Sequence, residues 1–290
     1  MSEPVVIVTG ANGFIGASLV RHFRALGWDV RALVPNPPRE PVDGVAYSRY
    51  DLSRAPDGSV FSGARYMVHC AYARHPEDPD SYSVNLEGTR RLVDLCRKWD
   101  VKPLFLSSFS AHEGAKSHYG ISKLRIESLF DLSRDLVLKP GLVVGRGGLF
   151  GTMVATATNH AFVPLVGTGN QLVQTIALED LCLLVERGLA SGVSGIYWVA
   201  NPTPLKLREI YEDIAAWQGR KIRFVPIPTW SVLLACQIAE MARIRLPLSS
   251  DSVLGLKNLR TFDTTADVLA FGVHLRTFRE SLASLPKPNG

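Results

Sequence analysis

Residues 5–16 read Val5-Val6-Ile7-Val8-Thr9-Gly10-Ala11-Asn12-Gly13-Phe14-Ile15-Gly16, an apolar run followed by three glycines spaced by three. The apolar run predicts a short buried strand, and the glycines predict a turn after it. Gly10 permits a tight turn, Gly13 lets backbone N–H groups approach a phosphate, and Gly16 allows a helix to pack closely on the strand. The stretch therefore predicts a binding site for a dinucleotide pyrophosphate.

The residues that follow predict a helix and a second strand. Apolar residues recur at three- and four-residue steps from Leu19 to Leu26, and Gly27 is a natural helix end. The run Val30-Arg31-Ala32-Leu33-Val34 predicts the next strand. A glycine motif alone can be a coincidental turn. The same motif between a predicted strand and a predicted helix is strong evidence for nucleotide binding.

Strands and helices continue to alternate along the chain. Apolar runs at 66–71, 104–108 and 136–138 predict strands, and 85–99 and 119–132 predict helices between them. Parallel strands with crossover helices on both faces form a doubly wound α/β sheet. We therefore predict that fold class.

Five stretches resemble one known family. They are the glycine motif itself, Asn85-Leu86-Glu87-Gly88-Thr89, Leu104-Phe105-Leu106-Ser107-Ser108, Tyr119-Gly120-Ile121-Ser122-Lys123 and Gly195-Ile196-Tyr197-Trp198-Val199-Ala200-Asn201. The G-x-x-G-x-x-G spacing with its leading Thr is similar to the short-chain dehydrogenase/reductase superfamily. The other four stretches resemble its extended branch, the NAD-dependent epimerase/dehydratase family.

The resemblance implies a Rossmann domain with a smaller C-terminal substrate lobe. We assign residues 1–145 to the dinucleotide-binding domain, with 171–200 returning to it. The substrate lobe is then expected to comprise 146–170 and 201–290. Prolines at 202, 204, 226 and 228 punctuate that lobe.

The predicted catalytic residues are Ser108, Tyr119 and Lys123. Tyr119 and Lys123 are four residues apart on a predicted helix, so they share one face. A protonated Lys beside a phenol favours the phenolate, and the Tyr could exchange a proton with a substrate oxygen while hydride moves to or from a nicotinamide. By the family's pattern, Ser108 would polarise that oxygen, whereas Ser110 would lie deeper in the substrate cleft. Alone, a Tyr–Lys pair at this spacing is an ordinary feature of a helix surface.

The resemblance also implies a set of cofactor-binding residues. Val34 stands where NAD-selective relatives carry an acidic side chain, and Pro35 stands where NADP-selective relatives often carry an Arg. The missing carboxylate removes repulsion of a 2′-phosphate, which favours NADP(H) over NAD as the NAD(P) cofactor. Arg31 or Arg39 could reach a 2′-phosphate. The expected contacts are Gly10, Asn12, Gly13, Phe14, Ile15, Gly16, Asp51, Leu52, Ala71, Asn85, Tyr119, Lys123 and Pro140.

The substrate is expected to be a small molecule with a secondary alcohol or ketone, such as a sugar or nucleotide sugar. Residues 169–175 lack the basic side chain with which nucleotide-sugar enzymes of this branch usually hold a diphosphate. Three alternatives to a sugar-nucleotide enzyme therefore stay open: a simple NADPH-dependent carbonyl reductase, a sensor without turnover, and an assembly protein. The intact Ser/Tyr/Lys set favours an enzyme.

Composition limits the partners. The net charge is +5, from 32 basic and 27 acidic residues, and no run interleaves aromatic with basic side chains, so we expect no nucleic acid partner. The four cysteines are widely separated in apolar contexts, and the histidines have no metal-ligand spacing; we expect reduced thiols and no metal.

The N-terminus lacks the pattern of a signal peptide, so a cytoplasmic protein is expected. The apolar segment 230–244 is short and carries Glu240 and Arg243, and we interpret it as an amphipathic helix packed in the C-terminal part. These features predict no membrane partner, and they leave a homodimer open.

Overall fold

The computed structural model describes residues 3–73, 81–242 and 249–287. In chain order the strands and helices are β1 (Val5–Thr9), α1 (Phe14–Ala25), β2 (Asp29–Val34), β3 (Val45–Arg49), β4 (Tyr66–His69), α2 (Ser81–Lys98), β5 (Lys102–Leu106), α3 (His118–Glu127), β6 (Leu136–Pro140), β7 (Leu142–Val144), α4 (Gly148–Asn159), β8 (Phe162–Val166), β9 (Leu172–Val173), β10 (Thr175–Ala177), α5 (Leu178–Ser191), β11 (Gly195–Val199), β12 (Leu205–Lys206), α6 (Leu207–Trp217), β13 (Arg223–Ile227), α7 (Thr229–Met241), α8 (Ser250–Lys257), α9 (Thr265–Leu269) and α10 (Phe278–Ser284).

Seven strands form one parallel sheet in the order β3-β2-β1-β4-β5-β6-β11. The strand order reverses between β1 and β4, which pair as Val6 with Tyr66 and Thr9 with His69. In doubly wound sheets a ligand binds outside the carboxyl ends of the strands at this reversal. The predicted doubly wound α/β fold is confirmed, and its ligand crevice lies where the glycine motif was found.

Edge strand β3 was not predicted, because its residues Val45–Arg49 are only partly buried and follow a loop without periodicity. Helix α3 ends at Glu127, five residues before the predicted end, where the Ser128 hydroxyl donates to the Arg125 carbonyl. The predicted helix over 230–244 corresponds to α7, and residues 243–244 lie outside the described residues.

Several apolar cores form among the described residues. The largest packs one face of the sheet against helices α1 and α5, and residues 268–275 of the C-terminal part also lie in it. The second core joins α4, α6 and α10 to β8, through side chains such as Phe150, Leu165 and Ile210. The division into a Rossmann domain and a substrate lobe stays a prediction.

The described ranges contain no helix of the length and apolarity needed to span a bilayer. Over the same residues no three His, Cys, Asp or Glu side chains come together as metal ligands would. All four cysteines are free thiols, and three of them are buried.

Candidate active site

The glycine turn joins β1 to α1 at the centre of the sheet. Gly10 has φ +65°, and a Cβ there would lie 2.8 Å from the backbone of Ala71 at the end of β4. A Cβ on Gly16 would lie 2.3 Å from the Gly10 carbonyl oxygen, whereas one on Gly13 would have only that oxygen nearby, at 3.1 Å. Gly10 and Gly16 are therefore needed for packing, and Gly13 is the glycine that leaves space for a ligand.

The N-terminus of α1 fits an anion. Gly13 is its N-cap and makes no side-chain capping bond, and the first turn carries no acidic residue. No acidic or capping side chain of α1 therefore accepts hydrogen bonds from the first N–H groups of the helix or balances the positive end of its dipole. A pyrophosphate would satisfy both, so these residues fit a dinucleotide.

Two predicted cofactor residues, Asn12 and Phe14, also make contacts within the protein. The Phe14 ring lies under the loop after β7, where a Cβ on Gly145, Gly147 or Gly148 would come within 3.0 Å of it. The Asn12 amide donates to the Asn36 carbonyl at 2.7 Å, which ties the glycine turn to the loop after β2. These side chains shape the crevice, so a cofactor contact from this stretch would come from backbone N–H groups.

Buried polar residues form the floor of the crevice. His69 is fully buried and bonded on both ring nitrogens, to the Thr9 hydroxyl at 2.7 Å and the Thr89 hydroxyl at 2.9 Å. Burial, with a smaller contribution from the Lys123 charge, lowers the pKa of His69 to about 3. The Asn85 amide holds the loop after β4 by bonding both the N–H and the carbonyl of Ala73, at 2.8 and 2.9 Å.

A small cavity lies at the end of β3, next to the end of β2. Arg49, Tyr50, Asp51, Arg54 and Ala55 line it. Asp51 accepts the backbone N–H and the hydroxyl of Ser53. The buried Tyr50 hydroxyl has no hydrogen-bond partner among the described residues.

Predicted cofactor residue Leu52 packs against helix α2. A Cβ on Gly88 of α2 would lie 2.5 Å from the Leu52 carbonyl, so glycine is required there. This contact explains the glycine of the N-x-x-G-T stretch by packing.

Lys123 lies buried beneath Tyr119, one turn further along α3. Its ammonium donates to the Leu106 carbonyl at 2.8 Å and lies 4.6 Å from the Phe105 ring centroid. The Tyr119 ring meets the Tyr72 ring edge-on, with centroids 5.1 Å apart, and its own centroid is 6.0 Å from the ammonium. The structure thus places a cation and a phenol side by side at the end of β5.

The two serines after β5 differ in environment. Ser107 is buried, and its hydroxyl donates to Glu127 at 2.5 Å. Ser108 is half-buried, and its hydroxyl accepts the backbone N–H of Ser110 at 3.1 Å. Predicted residue Pro140, the last of β6, accepts the N–H of Phe109 and so fixes this loop to the sheet.

A pocket opens beyond Ser110, between the loop after β5 and helix α8. Among its lining residues are Phe109, Ser110, His112, Asn258 and Leu259. His112 accepts the Gly114 N–H at Nδ1, so Nε2 donates to the Asn258 carbonyl at 3.2 Å. Burial lowers the pKa of His112, and both of its nitrogens are engaged in holding the pocket wall.

Asp251 is a residue that the sequence analysis missed. From α8 its carboxylate accepts the backbone N–H groups of His118 and Tyr119, at 2.5 and 3.2 Å. No sequence signal marks it, because 132 positions separate it from Tyr119. The sequence analysis also missed Arg49, which lines the cavity at the end of β3, because that strand was not predicted.

Residues 169–175, which lack the basic side chain of the nucleotide-sugar enzymes, make hydrogen bonds within the fold. Gln174 bonds the backbone N–H and carbonyl of Phe262 at 2.8 and 2.9 Å, and Gln171 donates to the Val166 carbonyl. Arg31, one candidate for a 2′-phosphate, donates instead to the carbonyls of Val60 and Ser62, both at 2.6 Å.

Known proteins resemble the chain over most of its length. A sequence model of the NAD dependent epimerase/dehydratase family matches residues 6–199. The ceramide reductase of Caulobacter vibrioides (strain NA1000 / CB15N) is 26% identical over 251 residues, which cover 81% of this chain and 77% of that protein.

A yeast relative matches a shorter part. The decarboxylating sterol-4-alpha-carboxylate 3-dehydrogenase of Saccharomyces cerevisiae is 32% identical over 117 residues, 36% of this chain and 34% of the yeast protein. The matched stretch therefore spans about a third of that relative.

Solved structures share the fold. The crystal structure of gox2253 has a TM-score of 0.77 at 21% identity, covering 97% of this chain and 96% of its own. The UDP-glucose 4-epimerase of Thermus thermophilus in complex with NAD has a TM-score of 0.72 at 23% identity, covering 96% of each chain.

Proposed function

The chain belongs to the NAD-dependent epimerase/dehydratase family, and from this premise we propose that it interconverts a secondary alcohol and a ketone on an apolar, lipid-like substrate. The observation that carries the proposal is the pairing of Tyr119 with the buried Lys123, next in the chain to a small pocket whose lining includes Phe109. The ceramide and sterol relatives support an apolar substrate, as does the absence of Lys and Arg from residues 169–180.

Each catalytic side chain has one proposed role. The Tyr119 hydroxyl gives a proton to the substrate oxygen in reduction and takes it in oxidation. The Lys123 ammonium, fixed by the Leu106 carbonyl, stabilises the oxyanion that Tyr119 becomes. Ser108 donates a hydrogen bond to the same substrate oxygen. When bound, the nicotinamide supplies or accepts the hydride.

We further propose that NADP(H) is the preferred cofactor, held at its 2′-phosphate by Arg49 and Arg54. Arg49 ends β3 and pairs in register with Val34, the last residue of β2. It lines the cavity with Arg54, next to the unpartnered Tyr50 hydroxyl, which could donate to the same phosphate. Arg49→Ala should weaken NADPH binding about tenfold or more and leave NADH binding nearly unchanged, as measured by calorimetry; equal loss for both would contradict this assignment.

The activity is tested by incubating the protein with NADPH and a panel of long-chain ketones, sterol ketones and nucleotide sugars. Reduction of a lipid ketone with stoichiometric loss of NADPH supports the proposal. Tyr119→Phe keeps the ring and should lower turnover roughly a hundred- to ten-thousand-fold, with cofactor affinity retained. Conversion of a nucleotide sugar with no net NADPH consumption would instead identify an epimerase or dehydratase.

A further inference from the structure

Helix α7 exposes an apolar stripe. Trp230, Leu234, Ile238 and Met241 are 70%, 50%, 58% and 86% exposed, and their spacing of four, four and three places them on one face. The opposite face, including Cys236, packs against Val166 and Val253. The helix therefore presents large apolar side chains to the surroundings along its whole length.

The two-stranded sheet of β8 and β13, whose second strand comes just before α7 in the chain, also exposes apolar side chains. Phe162 of β8 is 58% exposed and Val225 of β13 is 44% exposed, while the residues that alternate with them face the second core. Strand β13 leads into α7 through Pro228 alone. We call the four α7 side chains with Phe162 and Val225 the apolar face. The stripe on α7 is a row of exposed apolar side chains on one helix face, and such a row is typical of an interaction site.

The charged side chains of residues 218–227, the segment that includes β13, are all basic. Arg220, Lys221 and Arg223 are exposed just before and within β13, and Arg223 pairs in register with Phe162. The one charged residue of α7 is Glu240, whose carboxylate accepts the backbone N–H and the hydroxyl of Ser250, both at 2.8 Å. Apolar side chains flanked by cations match the acyl and phosphate layers of an anionic lipid surface.

The apolar face also lies close to the substrate pocket. Helix α7 packs on α8, and Gly255, Asn258 and Leu259 at the end of α8 line the pocket. From these observations we propose that the apolar face docks on an anionic lipid surface, with α7 in the interfacial plane, and brings the pocket to its lipid substrate. The claim that docking brings the pocket to a lipid substrate rests on the proposed function, whereas docking on a lipid surface does not. The expectation of no membrane partner stays a prediction, and vesicle binding would contradict it.

Docking is tested by flotation with vesicles of phosphatidylglycerol and phosphatidylcholine. The intact protein should float with them and bind pure phosphatidylcholine vesicles several-fold more weakly. A double variant, Leu234→Gln with Ile238→Gln, should lose at least ninety per cent of the bound fraction. Leu269→Gln is the matched control, since Leu269 is 69% exposed on α9, away from the apolar face, and it should float like the unchanged protein.

Two results would overturn docking: no flotation of the intact protein, or equal flotation of the double variant. The alternative occupant of the apolar face is a second copy of the chain. Analytical ultracentrifugation would identify it if the intact protein were a dimer, the double variant were a monomer, and neither bound vesicles. A short, water-soluble ketone separates the two proposals. The double variant should reduce this ketone at the normal rate and lose activity only on vesicle-borne substrate. Inactivity of the intact protein and of both variants on every ketone would refute the proposed function and would not bear on docking.

Discussion

The two neighbouring serines that follow β5, Ser107 and Ser108, have different roles. Ser107 bonds a buried carboxylate, and the Ser108 hydroxyl is half-buried beside the pocket-lining Ser110. Both positions carry the same residue type, so only their environment distinguishes a structural hydroxyl from one that can reach a substrate.

Ser108→Ala should lower turnover about ten- to a hundredfold, because it removes a donor to the reacting oxygen. Ser110→Ala is the matched control and should cost less, since the proposed function assigns the donor to Ser108 and not to Ser110. Steady-state kinetics on the ketone found by the panel measure both. A larger loss from Ser110→Ala would transfer the role to that residue.

Asp251 acts on Tyr119 through the backbone. By accepting two N–H groups it caps α3 from another part of the chain, as an N-cap side chain would do locally. Asp251→Ala should destabilise the protein by about 1 kcal/mol and lower kcat with little change in cofactor affinity. Asp251→Asn keeps one acceptor and should recover part of kcat; identical kcat for the Ala variant and the intact protein would exclude a positioning role.

At the scale of elements, the glycine turn separates packing from binding. A Cβ at position 13 would approach only the Gly10 carbonyl oxygen, at 3.1 Å, so the variant Gly13→Val should stay folded while losing cofactor binding. Gly16→Val would place its Cβ 2.3 Å from that oxygen and should lower the melting temperature as well. Calorimetry and thermal unfolding distinguish these outcomes. Unchanged NADPH affinity in Gly13→Val would refute the site.

A buried ion pair locks α3 to β6. Lys139 lies 2.8 Å from Glu127, both are about 5% exposed, and the ammonium also donates to the Ala111 carbonyl at 2.7 Å. Burial raises the pKa of Glu127, an effect that Lys139 and Ser107 oppose. The pair thus fixes the C-terminal end of the helix that carries Tyr119 and Lys123.

Breaking this pair should be costly, because one charge would remain buried without its partner. Lys139→Met should destabilise the protein by ~3–5 kcal/mol. Adding Glu127→Gln should restore part of that loss, since the stranded carboxylate disappears. Urea unfolding of the two single variants and the double variant measures the coupling. Additive losses would show that the two groups act independently.

For the whole molecule, buried His69 links stability to pH. Its pKa is about 3 in the folded protein and about 6.5 when unfolded, so between these values the unfolded chain binds one more proton. Stability is therefore complete above pH 6.5 and falls as the pH decreases toward 3, by up to ~1.4 kcal/mol per pH unit from this group.

The variant His69→Gln should show a shallower loss of unfolding free energy between pH 6.5 and 5 than the intact protein, whatever its stability at neutral pH. Urea unfolding at several pH values gives the two slopes. Parallel slopes would mean that His69 is not the group responsible.

The sequence by itself determined the fold class and the order of the motifs. Strand and helix periodicities and the glycine spacing are local, so they appear in the residues of one element. The same holds for Tyr119 and Lys123, because a helix places side chains four positions apart on one face.

The tertiary structure alone decided which other side chains join them. Asp251 reaches Tyr119 from another helix, Arg49 comes beside Val34 only when β3 pairs with β2, and α7 is seen to be exposed only once its neighbours are placed. These contacts join residues far apart in the chain. No local pattern encodes them, because their partners are chosen by the packing of the whole molecule.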